Sequence, residues 1–279
     1  MKKLLLHIVL WLLCGNILAQ KTVSEGGSVG GCYLRRNNVS LGMGYTNQYD
    51  TYLSPQEYRG PQLDILWNKE RFLKNTCRES KNASHVWGAV SFQSLFDVQL
   101  HTSTRKNNSM RMYGADFHYD AGWYYNWLDV IAPGLRLKTG GQVGGTLGGL
   151  YINRSGNNPA NAHAAVRLSA SVGAEYSFNL CRTPLVVRYQ ADVPVLGAAF
   201  SPDYEQSYYE LYKYGYCHNI CLTTLANAFS IRQMATVAIG LRHGFLTVGY
   251  KADLRQASLN HLRQHQYAHS FMIGWEKKF

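Results

Sequence analysis

Hydrophobic and polar residues alternate with period two along most of this chain. From Leu185 to Val195, the residues Leu185, Val187, Tyr189, Ala191, Val193 and Val195 are apolar or aromatic, and Arg188, Gln190 and Asp192 stand between them. Successive side chains of a strand point to opposite faces, so the pattern predicts a strand with one apolar and one polar face. From Arg111 to Trp127, Tyr113, Ala115, Phe117, Tyr119, Ala121, Trp123 and Tyr125 share one face, opposite Gly114, Asp116, His118, Asp120 and Gly122. From Ala164 to Phe178, Val166, Leu168, Ala170, Val172, Ala174 and Tyr176 lie opposite Arg167, Ser169, Ser171 and Glu175. Soluble strands average about five or six residues, whereas a tilted strand needs about nine to eleven to cross a bilayer. Trp123, Tyr125, Trp127, Tyr176 and Phe178, near strand ends, suit an interfacial aromatic girdle. The fold class expected is all-β: an antiparallel transmembrane β-barrel with apolar side chains towards lipid and charge inside. A soluble periplasmic β-protein shares the periodicity and differs in whether its apolar faces meet lipid.

Direction counting gives the strand number. Thr236 to Arg242 and the run from Phe245 alternate on either side of His243-Gly244, read as a two-residue hairpin turn that pairs Arg242 with Phe245. If the last strand runs down to a periplasmic C-terminus, that turn and "NLCRTP" near Asn179 are periplasmic. The loop from Ala257 to Arg263 and "RSGNNPAN" from Arg154 are then external. Ser201 to Ser230 must be one long external excursion or contain an even number of strands. Ten strands follow, starting near Val39, with twelve as the alternative. On the closing strand Phe271, Ile273, Trp275 and Phe279 face outward, and this terminal aromatic pattern resembles the one that outer-membrane barrels present to their assembly machinery.

Composition narrows the setting. Residues 1–19 read as a secretory signal peptide, with Lys2 and Lys3 ahead of an apolar core from Leu4 to Leu13 and cleavage after Ala19. Residues 20–38 read as an N-terminal periplasmic segment and 39–279 as the barrel, which places the protein in the outer membrane. The net charge of +11 falls to +9 when Lys2 and Lys3 leave with the leader. Export argues against nucleic acid, so the expected partners are outer-membrane lipid and lipopolysaccharide, with the barrel-assembly machinery during insertion, for a monomer. Five cysteines remain after the leader (Cys32, Cys77, Cys181, Cys217 and Cys221), an odd number that does not make a disulfide scaffold. "CHNIC" at Cys217 to Cys221 lacks a second ligand pair at a suitable spacing, and no metal or other cofactor is expected.

The inferred inward positions carry Arg136, Lys138, Arg167, Arg188, Arg242, Lys251 and Arg255 against Asp64, Glu70, Asp116, Asp120, Glu175, Asp192, Asp253 and Glu276. Small barrels fill their interiors with side chains, so these charges read as a polar network that plugs the lumen, with a narrow polar pathway as the lesser reading. Within "DFHYD", Asp116, His118 and Asp120 share one face and are the candidates for catalysis: a carboxylate beside a histidine orients it for activating water. The arrangement has a chemical likeness to omptin-class proteases and to barrel lipases, without an omptin motif. "GGQVGGTLGG" from Gly140 opens no helix and reads as strand glycines that leave room for bulky neighbours. His261, His265 and His269 recur every fourth residue, but on a strand they do not converge. "SPDYEQSYYELYKYGY" places Tyr204, Tyr208 and Tyr212 on one face of a short helix, with Glu205 and Tyr209 beside them. Such an aromatic-acidic loop either stacks on a sugar or seats a partner, or it folds over the barrel mouth.

The segments "YLSPQEYRGPQLDILW", "RSGNNPANAHAAV", "PLVVRYQADVPVLGAAFSPDYEQSYYE" and "HSFMIGWEKKF" together resemble the domain-of-unknown-function 3316 family. The resemblance spans Tyr52 to Phe279 and implies an exported outer-membrane barrel of a Gram-negative bacterium. It assigns no activity and supplies no catalytic residues. The reading that follows is a barrel with a largely filled lumen and a structural, ligand-binding or small-solute role. A barrel-embedded hydrolase is its rival.

Overall fold

The alternating strands close on themselves. The computed structural model describes residues 35–73, 89–105, 110–129, 131–153, 158–180, 183–204, 206–214 and 217–278. Its strands are β1 (Arg35–Asp50), β2 (Ser54–Phe72), β3 (Ala89–Thr104), β4 (Arg111–Leu128), β5 (Leu135–Ile152), β6 (Ala160–Leu180), β7 (Thr183–Phe200), β8 (Ile220–Thr224), β9 (Ser230–Leu241), β10 (Gly244–Leu259) and β11 (Leu262–Lys278). Strands β1 to β7 pair in order, β7 pairs with β9, β9 with β10 and β10 with β11. The seam between β11 and β1 runs from Arg36↔Lys278 to Asp50↔Gln264. The result is a closed antiparallel barrel of ten strands, with every barrel edge paired. The eleventh strand, β8, pairs only with the end of β7, from Leu196↔Thr224 to Phe200↔Ile220. The segment from Ser201 to Ser230 is therefore one excursion, and the count is ten rather than twelve.

The two ends differ. At the base, where β1 begins and β11 ends, the β6–β7 hairpin closes at Leu180↔Thr183 and the β9–β10 hairpin at Leu241↔Gly244. The turn residues of the second hairpin are Arg242 and His243, not His243 and Gly244. Gly244 pairs with Leu241, so the register is offset by two residues from the expected one, and an offset of two leaves every side chain on its own face. Arg242 is exposed in that turn and leaves the list of lumen charges. β1 starts at Arg35, which brings into the wall four residues assigned above to the N-terminal segment. At the mouth, strands β10 and β11 extend further than expected and meet in the two-residue turn Asn260-His261.

The faces of the wall are inverted relative to a water-soluble protein. Met43, Phe117, Val143, Leu147, Val166 and Phe271 are exposed outside, while Asp64, Glu70, Asp97, Asp116, Lys251 and Glu276 are buried inside. Apolar exposure continuous around a barrel marks a lipid-facing surface. Rings collect towards the base: Phe92 with Trp123 at 5.0 Å, Tyr125 with Trp127 at 5.0 Å, and Tyr176 stacked on Phe178 at 5.5 Å. Three of the β5 glycines serve the inside. A side chain at Gly140 would collide with Tyr124, one at Gly144 with Asp120 and one at Gly148 with Asp116, so their absence admits the large β4 side chains into the lumen.

The Asn260-His261 turn holds positive φ at both residues, 45° and 61°, as a type I′ turn requires. An L-residue with a Cβ pays about 1 kcal/mol for that conformation. His261→Gly is expected to stabilise the barrel by about that amount and His261→Val to destabilise it. Urea unfolding of the protein in vesicles, followed by tryptophan fluorescence, checks this; equal midpoints for the two variants would contradict it.

Candidate functional site

The lumen is the candidate site, and its chemistry is built in layers by cross-strand register. At the base, Arg36 lies opposite Glu70, Arg136 opposite Glu175, and Glu175 opposite Arg188. Each is an inward position of its strand, so the guanidiniums and carboxylates meet on the barrel axis. Glu175 accepts from three arginines: Arg36 at 3.0 Å, Arg136 at 2.8 Å and Arg188 at 2.7 Å. Arg36 also reaches Glu70 at 2.9 Å, and Arg188 grips Glu276 with both terminal nitrogens at 2.8 and 2.9 Å. Just above, Lys138 is held by neutral groups: it donates to Gln93 and Gln190 at 2.9 Å each and lies 4.7 Å from the Tyr124 ring centre. Beside it, Leu66, Leu95, Met234 and Met272 form an apolar patch inside the barrel.

The middle of the lumen is again ionic. Lys251 joins Asp64 at 3.1 Å and Asp97 at 2.8 Å. Arg232 joins Asp120 at 2.7 Å and Asp192 at 2.8 Å, and Arg167 Nη2 donates to both oxygens of Asp120 at 2.8 Å. Arg255 binds Asp253 through Nε and Nη2 and donates to Gln99 at 2.8 Å. The buried His118 uses Nδ1 for Thr146 at 2.8 Å, while Asp116 accepts from His163 Nδ1 at 2.9 Å.

The mouth is capped. Leu53, Tyr58, Met112, Leu150 and Ile152 form a buried apolar cluster beneath the β1–β2 turn. Above it sits the excursion that carries helix α1 (Tyr208–Tyr214). Ser207 and Glu210 cap this helix reciprocally: the Ser207 amide donates to Glu210 Oε2 at 2.8 Å, and the Glu210 amide donates to Ser207 Oγ at 3.3 Å. The cap is tied down by tyrosine hydroxyls. Tyr52 donates to the Gln206 carbonyl at 2.8 Å, and the Ala162 amide donates to the Tyr208 hydroxyl at 2.6 Å. Burial, reinforced by Tyr208, Asp50 and Glu210, pushes the Tyr52 hydroxyl up to about 12, and burial also raises Tyr208. Asp203, exposed in the loop, is held below the usual carboxylate range by the Tyr204 amide and His261.

The residues read from the sequence divide accordingly. Arg136, Lys138, Arg167, Glu175, Arg188, Asp192, Lys251, Asp253 and Arg255 all lie in the lumen network. Asp116, His118 and Asp120 do point inward, but each takes a different partner: His163, Thr146 and the Arg167–Arg232 pair respectively. In the tyrosine loop the helix begins at Tyr208, so Tyr204 precedes it; Tyr208 is turned into the cap, while Tyr204, Tyr209 and Tyr212 stay exposed. Glu205 and Phe279 lie outside the described residues, as do Cys32, Cys77 and Cys181. Phe271 and Ile273 face outward, with Trp275 half-buried on the same row. His265 and His269 stack on Tyr267 and Tyr250. Among the described residues no three His, Cys, Asp or Glu side chains converge to hold a metal. Arg36, Arg232, Asp97 and His163 were not singled out in the sequence. His163 shares a face with Arg167 four residues on and was legible; Asp97 was not, because Leu95 stands on the same inward face and breaks its polarity.

These features define a ten-stranded β-barrel of the outer-membrane type, apolar outside and ionic within. The family model described as protein of unknown function (DUF3316) matches residues 4–279, and the chain belongs to that family. No curated protein is detectably similar to it. Among solved structures it is similar to the transport unit of the autotransporter AIDA-I from Escherichia coli, with 9% identity, TM-score 0.47, and 93% of this chain and 94% of that one covered. It is also similar to the beta domain of the Bordetella autotransporter BrkA, at 12% identity, TM-score 0.39 and coverages of 87% and 99%. A third is Ail, the attachment invasion locus protein of Yersinia pestis, at 8% identity, TM-score 0.30 and coverages of 87% and 98%.

Removing one member of a buried ion pair costs about 3–5 kcal/mol because the other charge stays buried. Lys251→Met is expected to lose that much in urea unfolding, since Asp64 and Asp97 then face each other. The triple variant Lys251→Met, Asp64→Asn, Asp97→Asn recovers most of it. A single variant as stable as the parent would remove the ion-pair account.

Proposed function

We propose that this protein is an outer-membrane barrel with a permanently closed lumen, acting as a membrane-anchored structural or ligand-holding body rather than as a diffusion pore. The observation that carries this reading is the lumen itself. Ionic layers at the base and in the middle, and an apolar cluster under a docked loop at the mouth, fill it in succession. Ten strands leave a bore that side chains fill, whereas open aqueous channels need about sixteen. In this reading the base is periplasmic and the capped mouth external, because the longest connection, 201–229, lies at the mouth, while β6–β7 and β9–β10 close at the base in two-residue turns. The exposed Phe271, Ile273 and their neighbours contact membrane lipid and lipopolysaccharide, and the final strand is what the assembly machinery engages as the monomer inserts. Asp116, His118 and Asp120 serve as parts of the polar network: Asp120 is held by Arg167 and Arg232, Asp116 Oδ1 by His163 and His118 by Thr146, so the three are tied to separate partners rather than to one another, which favours a structural over a hydrolytic role.

Two measurements test it. Detergent-extracted protein is expected to run heat-modifiably on a gel and to give no stable conductance steps in a planar bilayer; stable large steps would overturn the closed lumen. The cap should hold at alkaline pH. Because the folded Tyr52 hydroxyl is raised from 10 to about 12, its contribution is fully present below pH 10 and declines between 10 and about 12. Limited proteolysis of the 201–229 excursion should therefore accelerate in that window. Tyr52→Phe should accelerate it already at neutral pH.

A further inference from the structure

We propose that the barrel wall on the mouth side holds a binding site for a small amphipathic carboxylate, with its apolar body at a break in β7 and its carboxylate against Arg255 and Arg167. The break is visible in the ladders. Pro194 has no amide hydrogen to donate, and the β6–β7 register shifts between Leu168 and Ser169, opposite Leu196 and Pro194. On its other side β7 pairs with β9 only as far as Asp192↔Arg232 and resumes with β8 at Leu196↔Thr224. Val195 and Leu196 consequently both face outward, and the alternation changes phase there.

A cavity of about 160 Å³ occupies this point. Val166, Pro194, Ala199, Phe200 and Ala257 supply its apolar wall; Arg167, Arg255, His163 and Thr146 supply its polar wall. Val166 is exposed on the outer face and Arg167 points inward, so the cavity draws its lining from both faces of the wall. A dry cavity of about 150 Å³ accommodates a benzene ring, which sets the size of the apolar body. Pro194 lies eleven residues along β7 from Thr183, roughly 28 Å up the axis at ordinary rise and tilt, near the top of an apolar band about 25 Å tall. That is the depth at which an amphiphile places its head.

The charge of the cavity selects the head group. No Asp or Glu is among its lining residues. The Arg167 and Arg255 side chains keep 18% and 23% of their surface exposed, whereas Asp116 and Asp120 keep 1% each and Asp253 8%. The carboxylates lie behind, and what the cavity meets is guanidinium. Arg255 uses Nε and Nη2 for Asp253 and Gln99, while its Nη1 stands 3.7 Å from Asp116, beyond hydrogen-bonding distance. A planar guanidinium with a free donor matches a carboxylate better than any neutral head.

The test uses the full chain in nanodiscs of zwitterionic lipid, with hexanoate carrying a terminal trifluoromethyl group as probe, read by fluorine NMR. The carboxylate should bind and be displaced by unlabelled hexanoate. The matching alcohol should bind about tenfold more weakly, the range expected for a charge-assisted hydrogen bond. Arg255→Gln should bring the acid down to the alcohol's affinity, Arg255→Lys should keep a preference for the acid, and Ala199→Leu should exclude both probes by filling the cavity. Acid and alcohol binding equally, no saturable binding, or binding indifferent to Ala199→Leu would each overturn the proposal. The result is independent of whether the lumen conducts, so its failure and that of the closed-lumen reading are separately visible.

Discussion

A charge inside this barrel has only other side chains to replace its water, and the interior is arranged around that requirement. Taking an ion out of water costs several kcal/mol, recovered only where an opposite charge and further hydrogen bonds lie within contact distance. Glu175 meets this with three arginines from three different strands, and Asp120 with two. The partners are remote in sequence: Arg36 and Glu175 are separated by 139 residues and Lys251 and Asp97 by 154. Arg36–Glu175 and Lys251–Asp97 thus act as cross-braces between strands that are not neighbours in the wall.

The wall around this network obeys one rule, and β7 breaks it. The rule is the pleat, which sends alternate side chains to lipid and to the lumen and lets long strands carry an apolar exterior and a charged interior at once. The exception is Pro194, where a missing amide donor interrupts the ladders to both neighbours and changes the phase of β7. The cavity opens at that interruption because the wall there is not knit on both sides. Its guanidinium-rich inner surface follows from the braces beneath it, which bury their carboxylates more deeply than their arginines.

At the mouth the constraint is different. The loop over the barrel holds on mainly through phenol hydroxyls and backbone groups, with Tyr52 and Tyr208 in edge contact at 6.1 Å and Asn161 linking the Tyr208 hydroxyl to Asp50, to which it donates at 2.7 Å. Leu211 is the buried anchor of α1, while Tyr204, Tyr209 and Tyr212 remain outside as the face this end presents.

The period-two alternation is a local property, and by itself it determined the strands, the direction each face points, the aromatic rows near the base and the inward placement of nine network residues. Register and partnership are not local. A two-residue offset of the β9–β10 hairpin preserves every face, so alternation could not distinguish Arg242-His243 from His243-Gly244 as the turn. Nor could it show that Asp116 pairs with His163 on β6 rather than with His118 two residues away, because neighbours along one strand face are separated by a full pleat repeat while cross-strand partners converge. The closure at ten strands, the bracing across the lumen and the break at Pro194 were decided by the tertiary structure, since each depends on which strands lie side by side.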